Sequence, residues 1–353
     1  MHGGDIYRNQ VKTDFSVNIN PLGIPPEVEH ALREAVKACD HYPDYTCESL
    51  KDACGAYLGD AGQKYKICVG NGASELFPAI VHALRPRKVL LPAPGFSGYE
   101  KACEACERKY VYLHAEDEFA VTHAVCEEVC EEIGKGIDLL FLTNPNNPTG
   151  QRIPDEGLRK IVEKAKEKKT VVVIDECFLE FVPEGEKHSF LPHLEQYPNV
   201  IVVRAFTKIC AIPGVRIGYC VCRDESMGEE IEKNLAEWNV SVFAQEAGVA
   251  AAKVLSQKEG DTYLRRTLES VEKQRAWLSK NLERLGIKVF PSDANFLLIY
   301  ARKNLYDELL KKGILIRDCR DYRGLGEGFW RVAVNTPENN RKLIQALGEI
   351  YEG

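Results

Sequence analysis

The stretch that decides the fold of this chain is VVRAFTKICAIPGVRIGY, residues 202–219. It begins as an apolar, β-branched run typical of a buried strand, and then reaches Lys208, a Pro-Gly turn and Arg216. An amine and a guanidinium in this arrangement could form a Schiff base with pyridoxal phosphate and bind the phosphate of that cofactor. Taken alone, the segment also suits the solvated start of a helix, so the other strand ends must decide between the two interpretations.

Two strands earlier in the chain also end in polar side chains. Residues 170–175, TVVVID, form an apolar run that ends in Asp175, as expected of a buried parallel strand that delivers a carboxylate to the edge where open α/β sheets bind ligands. Asp175 could pair with the pyridine nitrogen of the cofactor, and a helix N-cap is its ordinary alternative. Residues 141–150, FLTNPNNPTG, place Asn147 in a loop, where it could donate to the ring hydroxyl oxygen or simply belong to a turn.

The phosphate and the ring of such a cofactor would need two further elements. Residues 67–76, ICVGNGASEL, have the pattern strand, glycine turn, helix. Free N–H groups at a helix N-terminus bind phosphate, which makes a cradle of Gly72, Ala73 and Ser74. Phe96 follows another apolar strand and could stack on a flat ring, although a core aromatic is an equal alternative.

These five segments occur in the order phosphate loop, aromatic, Asn-Pro loop, strand-end Asp, and Lys with Arg. The ordered set resembles the fold-type I pyridoxal-phosphate enzymes of the aminotransferase class I/II superfamily, over almost the whole chain. The resemblance implies that Lys208 is the Schiff-base lysine, Asp175 the pyridine partner and Asn147 the ring-hydroxyl ligand. It also implies a homodimer in which Tyr42 reaches the cofactor phosphate of the neighbouring subunit. The other implied phosphate ligands are Gly72, Ala73, Ser74, Thr207 and Arg216.

The two ends of the chain narrow the resemblance. HGGD at residues 2–5 and NINPLG at residues 18–23 resemble threonine-phosphate decarboxylases and, somewhat less, histidinol-phosphate aminotransferases. By this resemblance Arg331 pairs with the substrate carboxylate, and Asn20 is a substrate-binding candidate. Arg317 and His2 become candidates for the substrate phosphate, with a strand-edge salt bridge and a frayed terminus as their respective alternatives.

The implied reaction is decarboxylation of O-phospho-L-threonine, or a close phosphorylated amino acid, to aminopropanol phosphate for cobalamin biosynthesis. The alternative is an aminotransferase acting on histidinol phosphate or a related amino acid, and a third is a catalytically silent cofactor-binding protein. Phe178 stands where the aminotransferase relatives usually carry a tyrosine, which favours the decarboxylase. Ala205, Cys210, Arg320 and Arg323 also depart from the family pattern.

Composition excludes several classes of protein. The chain has 353 residues and a net charge of -7, which argues against a nucleic-acid surface. No apolar stretch reaches the length of a membrane span and Met1 does not begin a signal peptide, so we expect a cytoplasmic protein. The 13 cysteines are expected to be reduced thiols, with no metal site.

We expect an α/β fold with a mostly parallel central sheet. The large cofactor-binding domain should span residues 46–244. Residues 1–45 and 245–353 should form a smaller α+β domain. Within the latter we expect a helix at 262–285, strands at 288–300 and 314–317, and a closing helix at 337–351.

Overall fold

The computed structural model describes residues 3–114, 119–120 and 122–352. The strands found there, in chain order, are β1 (Thr13–Asp14), β2 (Lys66–Gly70), β3 (Lys88–Ala93), β4 (Lys109–His114), β5 (Leu139–Thr143), β6 (Val171–Asp175), β7 (Val200–Arg204), β8 (Gly218–Cys222), β9 (Lys288–Val289), β10 (Phe296–Tyr300), β11 (Ile314–Leu315), β12 (Arg317–Asp318) and β13 (Phe329–Ala333).

Helices account for most of the remaining regular structure. In chain order they are α1 (Pro26–Ala35), α2 (Glu48–Leu58), α3 (Asp60–Lys64), α4 (Ala73–Leu84), α5 (Ser97–Ala105), α6 (His123–Gly134), α7 (Asp155–Lys168), α8 (Phe206–Ile209), α9 (Glu225–Glu232), α10 (Val242–Leu255), α11 (Tyr263–Arg284), α12 (Leu305–Lys311) and α13 (Pro337–Glu352). In the part of the chain that the structure describes, none of these helices is both long enough and apolar enough to cross a membrane.

The main sheet of the described residues has seven strands in the order β2-β8-β7-β6-β5-β3-β4. Strand β8 runs antiparallel to both of its neighbours, and the other pairs are parallel. This arrangement confirms the predicted α/β fold with a mostly parallel sheet. It also brings the carboxyl ends of β3, β5, β6 and β7 to one edge.

Helices cover both faces of this sheet. In β5, Leu139 and Phe141 pack into the apolar cluster on one face, whereas Leu140 and Leu142 pack into the cluster on the other. All four side chains are buried. A strand covered on both sides needs apolar residues at every position, which is why these strands are continuous apolar runs in the sequence.

The second sheet of the described chain is antiparallel and has the order β12-β13-β10-β9. Beside it, β1 pairs in parallel with β11, with Thr13 opposite Ile314, so the N-terminal segment joins the C-terminal part. This pairing agrees with the expected small domain, whose boundaries stay a prediction. The predicted helices at 262–285 and 337–351 are confirmed as α11 and α13.

Two predicted strands are each divided in the structure. The strand expected at 288–300 is β9 and β10 with a turn between them, because the Ser292 hydroxyl donates to the Phe296 carbonyl and accepts from the Ala294 amide. The strand expected at 314–317 is β11 and β12, which pair with different partners, β1 and β13.

A buried ion pair joins the ends of β6 and β7 on the side away from the polar edge residues predicted above. The Arg204 guanidinium donates to Glu176 Oε2 from Nε at 3.0 Å and from a terminal nitrogen at 2.8 Å. The Glu176 carboxylate also accepts hydrogen bonds from the Ser189 hydroxyl and from the Phe190 amide. Both charged side chains are almost completely buried, and Arg204 also lies 3.8 Å from the buried carboxylate of Glu180, so one guanidinium compensates two acidic groups.

Replacing Glu176 by alanine should therefore destabilise the protein strongly. The substitution leaves the buried Arg204 without its hydrogen-bonded partner and with only the longer contact to Glu180, which costs on the order of 3 kcal/mol. Glu167→Ala is the control, because Glu167 pairs with Lys164 on the exposed face of α7 and its loss should change stability little. Urea unfolding followed by circular dichroism measures both, and equal midpoints for the two variants would contradict the role of the buried pair.

Candidate active site

A pocket lies where the carboxyl edge of the main sheet meets β12, β13 and the N-terminal segment. Most of the side chains selected from the sequence share its wall. Those that line it are Ala73, Ser74, Phe96, Asn147, Asp175, Thr207, Lys208, Arg216, Arg317 and Arg331.

Lys208 lies on the short helix α8, directly after β7, and is half-buried. Desolvation by burial, followed by the nearby positive charges of Arg331 and Arg216, lowers the pKa of Lys208 to about 8. An amine with a lowered pKa carries a neutral, nucleophilic fraction near neutral pH. The lysine is therefore suited to react with an aldehyde.

Asp175 is buried at the end of β6 and is held by two donors. Its Oδ1 accepts from the Cys177 amide at 3.0 Å, and its Oδ2 accepts from the Tyr99 hydroxyl at 2.7 Å. The Tyr99 hydroxyl lies equally close to Thr143 Oγ1. Burial raises the pKa of Asp175 above its ordinary value. A carboxylate in this position would be stabilised by a cation in the pocket, and a protonated pyridine nitrogen has the required charge.

A phosphate cradle lies at the start of α4. Gly72 occupies the N-cap position with φ +82° and offers no side-chain cap. A Cβ on Gly72 would lie 2.4 Å from a terminal nitrogen of Arg216, and a Cβ on Gly218 would lie 2.7 Å from the Ala73 amide. The Arg216 guanidinium therefore packs against backbone atoms at a position without a side chain, beside the N-terminal, positive end of the α4 dipole. This combination of a cation and free amides fits a phosphate dianion.

The remaining walls suit an aromatic ring with a hydroxyl group. Phe96 is half-buried and lies edge-on to Phe77 and Tyr99, at 6.2 and 5.6 Å between ring centroids. Asn147 Oδ1 accepts from Arg331 and, at 3.2 Å, from the Tyr322 hydroxyl. Because both partners of Oδ1 are donors, they fix the orientation of the amide and leave its NH₂ group as the donor for a ring oxygen.

Two buried arginines face the pocket from neighbouring strands. Arg331 on β13 donates to the Ser16 carbonyl at 2.8 Å, and its Nε is buried without a partner. Arg317 on β12 donates from one terminal nitrogen to both carboxylate oxygens of Asp321, at 2.8 and 3.0 Å. It also donates to the Asp318 carbonyl. Together they form a wall suited to a ligand with two anionic groups.

Among the described residues, the candidates that do not line this pocket are Gly72, Asn20 and Tyr42, and Gly72 lies beside it at the N-cap of α4. Asn20 is buried, and its side chain donates to the Ile209 carbonyl and to Thr267, so it supports the backbone beside Lys208. Tyr42 is 80% exposed and packs against Trp238 with 4.9 Å between ring centroids. His2 lies outside the described residues.

The sequence analysis also missed residues that the fold brings to the site. Tyr99 stands three residues after Phe96 on the first turn of α5, a spacing that could have placed it on the same face. Asn18 lines the pocket with a buried Oδ1 that has no partner, only two residues from the candidate Asn20. No local pattern marks Tyr322, because its contacts come from distant parts of the chain.

Comparisons with known proteins agree with this arrangement. The model of the family described as aminotransferase class I and II matches residues 10–347. A protein of Caldanaerobacter subterraneus subsp. tengcongensis, whose name gives threonine-phosphate decarboxylase as a provisional assignment, is 37% identical over 99% of this chain and 94% of its own. The threonine-phosphate decarboxylase of Salmonella typhimurium is 31% identical over 96% of this chain and 91% of its own. The crystal structure of histidinol-phosphate aminotransferase from Clostridium acetobutylicum superposes with a TM-score of 0.87 and 29% identity, over 96% of this chain and 99% of that one.

Gly72→Ala should weaken the binding of pyridoxal phosphate by about tenfold or more, because the added Cβ displaces Arg216 from the cradle. Gly136→Ala is the matched control, since Gly136 has φ +84° and open space around its Cβ position. Titration of cofactor-free protein, followed by absorbance, gives both affinities. Equal losses in the two variants would mean that backbone strain, and not the cradle, is responsible.

The pH dependence of covalent attachment tests the environment of Lys208. Because its pKa is lowered to about 8, the neutral amine becomes the major form above that pH, and the rate of attachment should rise with a midpoint there. Borohydride trapping and the mass of the Lys208 peptide measure this rate. Arg331→Gln should move the midpoint upward, because it removes a neighbouring positive charge. A wild-type midpoint near the ordinary lysine value of 10.5 would mean that the pocket does not lower the pKa of Lys208.

Proposed function

This chain belongs to the aminotransferase class I and II family, and we propose that it is a pyridoxal-phosphate-dependent decarboxylase of O-phospho-L-threonine or a close phosphorylated amino acid. The product would be aminopropanol phosphate, for cobalamin biosynthesis. The observation that carries the proposal is the pair of buried arginines, Arg317 and Arg331, on one wall of the pocket that holds Lys208. Such a substrate has two anionic groups, a carboxylate and a phosphate, and the names of the similar proteins support the same chemistry.

When bound, pyridoxal phosphate supplies an aldehyde for the substrate amine and a protonated ring that withdraws electrons from the bond broken at Cα. Asp175 would keep the ring nitrogen protonated, and Tyr99 would hold that carboxylate in position. Arg216 and the amides at the start of α4 would hold the cofactor phosphate, and Phe96 would cover the ring. These roles leave Lys208 free to move a proton at Cα once the substrate amine has replaced its own.

The two arginines would then determine which bond breaks. Arg331 has a planar fork that suits a bidentate grip on a carboxylate, and Arg317 would bind the side-chain phosphate. A substrate held at both ends cannot rotate freely about Cα, so the two arginines would fix which of its bonds is broken. Lys208 would return a proton to Cα after the carboxylate is lost as carbon dioxide.

A second candidate function is transamination of histidinol phosphate or a related amino acid. The likeness to the clostridial histidinol-phosphate aminotransferase favours it. Lys208 would in that case remove the Cα proton as a general base. Two features favour the decarboxylase: histidinol phosphate offers no carboxylate to Arg331, and Phe178 packs against Phe296 without offering a hydroxyl to the ring.

We further propose that the enzyme is a homodimer in which Tyr42 reaches the cofactor phosphate of the neighbouring subunit. Tyr42 is exposed and does not line the pocket of its own chain. The adjacent Trp238 is 44% exposed, so the two rings form an apolar surface that a second copy could cover.

The enzyme supplied with O-phospho-L-threonine should release carbon dioxide and form aminopropanol phosphate without any keto acid. Arg331→Lys should lower kcat/KM on the order of 100-fold, because a point charge replaces the bidentate fork. Arg320→Lys, at a half-exposed guanidinium outside the pocket wall, is the control and should leave kcat/KM unchanged. If only keto-acid-dependent conversion of histidinol phosphate appears, the aminotransferase function replaces the decarboxylase.

A further inference from the structure

The loop of residues 319–328 joins β12 to β13 and contacts helix α5 beside the main sheet. Arg323 in this loop forms an ion pair with Glu100 on α5, with 3.0 Å between nitrogen and oxygen. Asp321 pairs with Arg317. Between them, Tyr322 is 8% exposed and lines the pocket. The loop is therefore held on either side of Tyr322, whose aromatic side chain lies inside the site.

The two arginines beside this loop are direct neighbours. Arg317 and Arg331 are Cα partners in the antiparallel pairing of β12 and β13, so their side chains leave the same face of the sheet. Like charges directly opposite each other repel, and here both are buried. Arginine side chains are long and flexible, so two of them in this position keep a defined distance between their guanidinium groups only if a rigid side chain lies between them.

Tyr322 contacts both guanidinium groups. The Cζ atom of Arg317 lies 5.1 Å from the centre of the tyrosine ring, within the range of a cation-π interaction. The tyrosine hydroxyl accepts from Arg331 at 3.3 Å and donates to Asn147 Oδ1 at 3.2 Å. One rigid ring thus meets one arginine with its face and the other with its hydroxyl group.

We propose that Tyr322 is a positioning residue that sets the distance between the two anion-binding arginines, and thereby selects substrates by the separation of their carboxylate and phosphate. This inference rests on the proposed function, which assigns one anion to each arginine. The ring has only two side-chain torsions and is tethered through its hydroxyl to Asn147. Arg317 is held from the other side by Asp321 and by the Asp318 carbonyl. A substrate one methylene longer then cannot satisfy both guanidinium groups together.

Two ligands that lack an amine test the spacing without any turnover. 3-Phosphooxypropanoate and 4-phosphooxybutanoate each carry one carboxylate and one phosphate, and they differ by one methylene. Isothermal titration of the full-length holoenzyme measures their dissociation constants. The wild-type enzyme should prefer the shorter ligand by about tenfold or more, the usual discrimination of one methylene.

Substitution of Tyr322 should remove this preference selectively. In Tyr322→Leu the ratio of the two dissociation constants should fall below about threefold, because both guanidinium groups are released. In Tyr322→Phe, which keeps the ring against Arg317, the ratio should be intermediate. Tyr300→Leu is the matched control, since Tyr300 packs against Phe329 outside the pocket wall, and it should keep the wild-type ratio.

Several outcomes would overturn the spacing role. They are equal binding of the two ligands by the wild-type enzyme, an unchanged preference in Tyr322→Leu, and a uniform loss of affinity for both ligands in that variant. Failure of the wild-type enzyme to bind either ligand would overturn the two-anion site and the spacing role with it. Release of carbon dioxide is measured separately, so a length preference without decarboxylation would contradict only the proposed reaction.

Discussion

Positive charge concentrated on the wall of one pocket is the constraint on which this site depends. Lys208, Arg216, Arg317 and Arg331 all line the same cavity. Desolvation by burial, together with the positive charges of Arg331 and Arg216, lowers the pKa of the lysine, which favours its neutral, nucleophilic form. The same positive charges suit the pocket to anions, and the cofactor phosphate and the two acidic groups of the proposed substrate would supply compensating negative charge.

Consecutive residues at the end of β6 point to opposite sides of the sheet, and only one of these sides faces the charged pocket. Asp175 and Glu176 are consecutive, yet Asp175 lines the pocket whereas Glu176 neutralises Arg204 on the opposite side. Side chains alternate along an extended chain, so a strand can supply one group to chemistry and the next to stability. The buried ion pair thereby anchors β6 and β7, whose ends carry Asp175 and lead into Lys208.

Sequence patterns located the groups that depend on local structure. Lys208, Asp175 and Asn147 each follow an apolar strand, and parallel strands deliver such groups to a common edge. Local sequence patterns do not predict contacts between residues that are far apart in the chain. The hydroxyl of Tyr322 meets an asparagine 175 positions away, and Tyr99 meets Asp175 across 76 positions. Such contacts depend on how whole helices and strands pack against one another, and the periodicity of apolar residues in the sequence does not show this packing.

The sequence by itself determined where five main-sheet strands lie, β2, β3, β5, β6 and β7, and which polar residues stand at their ends, because buried strands, glycine turns and helix starts leave signals within a few residues. Tertiary structure alone decided how the N-terminal segment and β13 complete the pocket. It made Asn20 a support for the lysine backbone, and it set two arginines opposite each other with Tyr322 between them. These outcomes follow from long-range strand pairing, where the register between distant segments fixes which side chains face one another.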